Sequence, residues 1–370
     1  MARIRVGIVG AGPDRGWARA AHLPALDRLD EFEVTAVATS RPESARRAAD
    51  QYGVPHAFAD AGELAEHPDV DLVVVSVKAP AHAAAIRPAL AAGKHVFTEW
   101  PLGVDLTESI ALADAAAEAG VTHVVGLQGL RTPDARFVKD LLAEGAIGKV
   151  ESVSVISAGD PLGGSRLPRG LAWSADRKQG NDLLSIMGGH TMALIDELAG
   201  PFVEISAASV ATFGDGIEIS ETGETVPKDV PDQIALFGRL AGGALASVSI
   251  QGGNAPAPDG FLIKIAGTEG KLAITPVEPT HYMNWGGWRV RVTAADGTTS
   301  EPSLPSRYHV VPADVPPGPA ASVAAVYREI AAAIAEGRPA HPSFQTAVRH
   351  HGLVDATERA AETGRPQATS

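Results

Sequence analysis

The stretch that most limits what this chain can fold into is residues 3–23, RIRVGIVGAGPDRGWARAAHL. Ile4, Val6, Ile8 and Val9 make a β-branched apolar run of the kind found in a buried parallel strand. Gly10, Gly12 and Gly16 follow, and from Trp17 onward Ala20, Leu23, Leu26 and Leu29 recur at helical spacing. Strand, glycine turn and helix in that order are the setting of a dinucleotide fingerprint. Glycines let the backbone approach a pyrophosphate closely, and the helix N-terminus adds N–H groups and a partial positive charge. Gly10, Ala11 and Gly12 are the expected contacts. The spacing Gly10-x-Gly12-x-x-x-Gly16 is one residue longer than the usual motif. A glycine turn that binds nothing has the same letters, so the flanking strand and helix carry the argument.

The same alternation continues. Strands are expected at 32–38 (FEVTAVA), 71–77 (DLVVVSV), 94–98 and 122–126, separated by helices at 42–52, about 80–92 and 105–119. A βαβαβ pattern sustained over about 125 residues predicts a doubly wound parallel sheet, a Rossmann domain at 1–127. Ligands of such sheets lie beyond the carboxyl ends of the strands. That rule nominates Val77, Lys78, Pro80 and His82 after one strand, Glu99 and Trp100 after another, and Gln128 after the last. Pro101 is placed to hold a turn, with a cis bond one option. The second strand ends in Thr39-Ser40-Arg41, where a ribose-binding acid usually stands. An acid would repel a 2′-phosphate, whereas hydroxyls and a guanidinium would hold one, so NADP(H) is favoured over NAD(H). Arg41 as a solvated residue at a helix start is the plainer alternative.

After residue 127 the pattern changes. A helix is expected at 132–144, an alternating strand at 150–156, and a glycine- and proline-rich loop at 159–170. A helical stretch at 183–198 is interrupted on paper by Gly188-Gly189 before His190. Strand-like segments follow at 203–212, 233–239, 244–251, 261–266, 271–275 and 288–293, with turn signals between them. Helices at 321–336 and 344–363 close the chain, and 364–370 reads as a loose tail. The second domain, 128–370, is therefore expected to be an α/β domain with a large, open, mostly antiparallel sheet. One face of that sheet has no evident cover, which predicts a homodimer or homotetramer joined there.

Composition narrows the function. There are no cysteines, so disulfides and thiol catalysis are excluded and redox chemistry would need a borrowed cofactor. A net charge of −13 and the lack of a basic run argue against nucleic acid. No apolar run is long enough to span a membrane, and the N-terminus enters a strand at once, so a cytoplasmic protein with a small-molecule substrate is expected. No hydrolase elbow or zinc-protease motif occurs. His350-His351 has no evident companions for a metal and reads as surface, and no metal site is expected.

Five segments together resemble one family. They are VGIVGAG, Glu99-Trp100-Pro101, GAIGKVESV at 145–153, GNDLLSIMGGH at 180–190 and FQTAVRHHGLVDATERAAETG at 344–364. The chain resembles the glucose–fructose oxidoreductase, inositol dehydrogenase and MocA family over nearly its full length. VVSVKAPAH at 74–82, LQGLRTP at 127–133 and Trp100 are similar to the branch of the yeast galactose-regulon repressor. The resemblance implies a Rossmann domain followed by an α/β domain, with association through the open sheet. It also implies a catalytic Lys, Asp and His. Here Trp100 stands at the Lys position, Ile186 at the Asp position, and His190 remains. A hydroxyl that gives up hydride must also lose a proton, and neither indole nor an alkyl chain can take one. His190 is then the acid–base candidate, with an ordinary pKa near neutral, and Lys78 is a substitute cation. Without the resemblance His190 would read as a core histidine. Trp173 and Asp182 flank the glycine-rich segment as candidate substrate contacts, or as structural residues. Three readings stand: an NAD(P)-dependent oxidoreductase acting on a sugar, polyol or related metabolite, a dinucleotide-binding regulator without turnover, and an enzyme that keeps its cofactor bound and uses transient oxidation for elimination or epimerisation.

Overall fold

A computed structural model describes residues 2–159, 162–253, 260–278 and 282–369; residues 160 and 161 of the glycine-rich loop lie outside them. The chain forms two compact units, 1–131 with 309–348 and 132–308 with 349–370.

The first unit is built on a six-stranded sheet of β1 (Ile4–Val9), β2 (Phe32–Ala38), β3 (His56–Phe58), β4 (Leu72–Val75), β5 (His95–Glu99) and β6 (His123–Gly126). Every pair is parallel, in the order β3-β2-β1-β4-β5-β6. All four residues of β4 are buried, as its continuous Leu-Val-Val-Val run requires of a strand covered on both faces. Local chemistry sets the helix ends. Asp105 accepts from the Glu108 N–H at the start of Leu106–Ala119, and Gly120, at φ 64°, closes it in the left-handed region. The helix expected from Trp17 is instead a π-helical turn, Ala18–His22, followed by a short α-helix, Leu23–Leu26. Pro24 has no N–H to donate and its ring crowds the preceding turn, which accounts for the wider winding there. Two further elements, β3 and the helix Ala61–Glu66, were not legible in the sequence because each is too short to show a period.

The helix Pro319–Glu336 also belongs to this unit, although the sequence division assigned it to 128–370. Val323, Val326, Tyr327 and Ile330 are buried in the same core as Val6, Ile8, Phe32 and Phe97. Each such side chain contributes roughly 1.5–3 kcal/mol on burial, enough to fix which unit the helix joins.

The second unit carries a nine-stranded sheet and a three-stranded one. The strands, in chain order, are β7 (Val150–Gly159), β8 (Arg166–Leu167), β9 (Phe202–Ala211), β10 (Gly216–Ile219), β11 (Thr225–Pro227), β12 (Gln233–Leu240), β13 (Leu245–Gly252), β14 (Phe261–Gly267), β15 (Gly270–Pro276), β16 (Trp288–Ala294), β17 (Thr299–Ser300) and β18 (Gln367–Ala368). The large sheet runs β17-β16-β15-β14-β7-β13-β12-β9-β18, antiparallel throughout except for β7 with β13. The small one is β11-β10-β8. On one face of the large sheet Val153, Val155, Ile263 and Ile265 meet Leu194, Ile195 and Leu198 of the helix Gly189–Ala199. The other face shows Ile156, Phe237 and Leu245 beside serines and alanines.

Three expectations are corrected. The tail is not loose: Gln367 and Ala368 pair with Ile205 and Glu204, and the Thr369 N–H donates to Val203 O at 3.1 Å, so it covers the edge of β9. Gly188-Gly189 does not interrupt its helix. A π-helical segment Leu183–Gly188 runs directly into Gly189–Ala199, with Gly188 packed close to Leu184 and Ile250. His350 and His351 are buried rather than on the surface, because their helix presents them inward, with His350 Nδ1 3.8 Å from Asp196. Among the described residues no helix is long and apolar enough to cross a membrane.

Candidate active site

In the first unit the turn after β1 can be made only by glycine. Gly10 sits at φ 96°, and a Cβ there would lie 2.2 Å from Ser76 O. Gly16, at φ 122°, reverses the chain into the helical turn. The extra residue of the motif produces a loop whose carbonyls are tied down by side chains. Tyr52 donates to Gly12 O at 2.8 Å, Gln51 to Pro13 O at 3.1 Å, and Arg19 to Pro13 O at 2.8 Å. Arg47 pairs with Asp14 at 2.7 Å. The loop is therefore a pre-formed backbone cradle. Two buried polar atoms near the strand ends, Ser76 Oγ and Gln128 Oε1, have no hydrogen-bond partner among the described residues. Unpaired buried groups of this kind are what a bound polar ligand satisfies. Cradle and orphaned atoms fit a dinucleotide.

The other nominated residues divide by what their side chains already do. Lys78 is exposed at the end of β4, and its ammonium is held below the usual lysine range by partial burial and by the positive charge of Arg15. Two cations close enough to feel each other beside a glycine turn suit a phosphate. Arg15, inside the turn, was missed in the sequence because an exposed loop arginine has no period to mark it. Ser40 and Arg41 are exposed, but the Thr39 hydroxyl is engaged with Ser44 Oγ at 2.5 Å and with Arg41 O at 3.0 Å, closing the start of Pro42–Tyr52. His82 does not face outward as expected. It is buried, with its ring nitrogens 3.0 Å from Val77 O and 3.2 Å from Leu102 O, so it ties two strand-end loops together. Burial holds its ring below the usual histidine range. Val77 is half-buried and Pro80 exposed on the same side of the sheet. Trp100 is buried and its bond to Pro101 is cis. Glu99 accepts a hydrogen bond from His22 Nε2 at 2.8 Å, a partner the sequence did not suggest.

In the second unit His190 lies in the first turn of Gly189–Ala199. Its ring has an edge-to-face neighbour, Tyr282, at 6.3 Å and no hydrogen-bond partner among the described residues. Burial pushes it down from 6.5 to about 4, which replaces the neutral-range titration expected from sequence. The imidazole is thus uncharged at physiological pH. Asp182 caps the π-helical segment, accepting from the Ser185 N–H at 2.8 Å, while Ser185 Oγ accepts from the Asp182 N–H. Trp173 is half-buried and donates from Nε1 to Gly170 O at 2.8 Å. Ile186 is half-buried on the turn before His190 and brings no polar atom.

One cluster could bind a cation. His56, His67 and Asp69 bring ligand-capable atoms within 4.8 Å of one another. Arg5, 3.0 Å from Asp69 Oδ1, already supplies its positive partner, and His67 Nδ1 already accepts from the Asp69 N–H.

Comparison with known proteins identifies the family and the fold. Residues 4–127 match the oxidoreductase family with an NAD-binding Rossmann fold, and 133–276 match the Gal80p C-terminal domain. Dehydrogenase aclE of Aspergillus oryzae is 30% identical over 73% of this chain and 76% of its own. The galactose/lactose metabolism regulatory protein GAL80 of Saccharomyces cerevisiae is 28% identical over 74% and 67%. Levoglucosan dehydrogenase of Pseudarthrobacter phenanthrenivorans is 27% identical over 74% and 73%. In fold, a super-repressor mutant of Saccharomyces cerevisiae Gal80p superposes with a TM-score of 0.88 at 23% identity, covering 100% of this chain and 98% of that one. A levoglucosan dehydrogenase complex with NADH and L-sorbose gives 0.86 at 23%, covering 100% and 99%.

Proposed function

Because the chain belongs to the glucose–fructose oxidoreductase, inositol dehydrogenase and MocA family, we propose that it moves hydride between a nicotinamide dinucleotide and a sugar, a polyol or a related hydroxylated metabolite. The observation that carries the reading is His190, a buried imidazole kept neutral and unbonded among the described residues. The ring is unprotonated and so has a lone pair for the proton that a hydroxyl sheds as its carbon loses hydride, while its burial makes it a weaker base than a solvated histidine. A nicotinamide, when bound, supplies the hydride acceptor or donor. The chain does the rest. Gly10, Ala11 and Gly12 admit the pyrophosphate, with Arg15 and Lys78 as counter-charges. Ser40 and Arg41 take the adenosine ribose and its 2′-phosphate, which favours NADP(H) over NAD(H). Trp100 walls the nicotinamide end with bulk where relatives by resemblance have a charge. Trp173 and Asp182 line the approach for substrate.

The second reading, a dinucleotide-holding regulator without turnover, is favoured by two observations. Trp100 and Ile186 leave His190 as the sole acid–base group of the three family positions, and residues 133–276 match the Gal80p C-terminal domain. One screen separates the two: absorbance of reduced nicotinamide, followed for its appearance with NADP+ or NAD+ and cyclic polyols or sugars, and for its loss with NADPH or NADH and keto-sugars. Turnover with any of them supports the enzyme, and tight cofactor binding with none supports the regulator.

For assembly, we propose a homo-oligomer through the open sheet face. Ser154, Ile156, Phe237, Ser247 and Leu262 form a flat, partly apolar surface there. Light scattering should give a dimer or tetramer at micromolar concentration, and Phe237→Glu should shift it toward monomer. A monomeric wild type would contradict this.

A further inference from the structure

A line of three side chains, two of them fully buried, runs inward from the end of β5. Tyr327 OH lies 2.8 Å from His22 Nδ1, and His22 Nε2 lies 2.8 Å from Glu99 Oε1. His22 and Tyr327 are fully buried, and the Glu99 side chain is 16% exposed. One proton arrangement satisfies every atom. The phenol donates to Nδ1, the imidazole is protonated at Nε2, and Nε2 donates to the carboxylate. The three sit on elements far apart in sequence: the π-helical turn, β5 and the helix Pro319–Glu336. The other carboxylate oxygen is packed against Gly126, where a Cβ would come within 2.7 Å of Oε2. Phe97 stacks edge-on to both His22 and Tyr327, at 5.2 and 5.3 Å.

The strand order says which part of a dinucleotide this carboxylate would meet. With β3-β2-β1-β4-β5-β6, the pyrophosphate sits at the β1 turn and the adenosine ribose at the β2 end. The nicotinamide half then extends the other way, over the ends of β4 and β5, where Glu99 stands. We propose that His22, locked by Tyr327, is a positioning residue that holds the Glu99 carboxylate as the acceptor for a neutral N–H or O–H donor on the nicotinamide half of the cofactor. This rests on the nicotinamide reading above. The line is not a proton path, because it ends at Tyr327, which is fully buried and enclosed by Phe32 and Phe97. Its effect is geometric: a carboxylate with one oxygen pinned and the other walled by Gly126 offers its remaining lone pairs in one direction.

The test uses calorimetric or fluorescence titration of the full chain with NADH, NADPH, ADP-ribose and ADP. His22→Leu should weaken the preferred reduced dinucleotide roughly tenfold, the scale of one hydrogen bond to a charged group. It should leave ADP within twofold, since ADP lacks the nicotinamide half. ADP-ribose keeps the ribose hydroxyls without the carboxamide. If it weakens too, the donor is a hydroxyl; if it does not, the donor is the carboxamide. Tyr327→Phe removes one oxygen and keeps the core volume, so it tests the same claim if His22→Leu folds poorly; it should weaken the dinucleotide severalfold. In the pair with Glu99→Gln, His22→Leu should add little to the single carboxylate change. Equal losses for ADP and the dinucleotide, or no loss in either variant, would overturn the proposal. A wild-type chain that binds neither NADH nor NADPH would instead remove the reading beneath it.

Discussion

In the first unit the imidazole of His22 is fully buried and hydrogen-bonded at both nitrogens, whereas in the second His190 is buried but 8% exposed and has no such bond among the described residues. The difference separates two uses of a buried polar group. A saturated ring holds its partners in place, and its removal disturbs geometry. A desolvated ring with its nitrogens unengaged stays neutral and keeps a lone pair for an incoming proton. The same contrast holds around them. The first unit fixes its loop through Tyr52, Gln51, Arg19 and Arg47, while Ile186 places an alkyl chain one turn before His190.

The sharpest way to break the contrast is to remove the bare ring. His190→Asn should lower turnover by about 10²–10⁴, the range for one general acid–base group, with cofactor affinity little changed. Near-normal rates in single-turnover assays would move proton transfer to Lys78. Next comes the cradle. Gly10→Ala forces a Cβ against Ser76 O at a positive φ, and the loss should be on the order of 3 kcal/mol in dinucleotide binding or in stability. Titration alongside thermal unfolding reads both.

These effects trace to residues of very different legibility. Gly10 announces itself because strand, turn and helix are neighbours in the chain, and the same is true of the period of β2, β4 and the helix Leu106–Ala119. The strands of the large sheet were also visible as alternating segments, but their order was not, since β7 pairs with β13 and β14, which lie far along the chain. His22 could not be read as a site residue, because its partners are at 99 and 327. The inward turn of His82 and the depressed pKa of His190 depend on what surrounds them in space, which no local pattern encodes.

A third effect lies in acid. His190 titrates near 4 when folded and near 6.5 when unfolded, so the unfolded chain binds the extra proton between those values and its contribution to stability rises with pH through that window. Asp196, raised by burial from 3.8 to about 6, acts in the opposite sense, and its contribution falls as pH rises from about 4 to 6. The two largely offset in the wild type. His190→Asn leaves Asp196 unopposed, so the stability difference between pH 4.5 and pH 7 should change by roughly 2–3 kcal/mol in favour of the lower pH. Denaturant titrations at the two pH values check this, and an unchanged difference would mean that His190 is better solvated than its burial implies.

The smallest effect concerns cofactor choice. Arg41 is exposed, so Arg41→Ala should cost about 1–2 kcal/mol for NADPH and almost nothing for NADH. Equal losses for both would leave the 2′-phosphate without its proposed partner.

The most direct measurement mixes the chain with NADP+ or NAD+ and the polyol and sugar panel in a stopped-flow instrument, following formation of reduced nicotinamide in wild type and His190→Asn. Reduction with at least one substrate, slowed at least about a hundredfold in the variant, is the result predicted by a neutral His190 acting as base. Tight cofactor binding with no reduction by any member of the panel would contradict it.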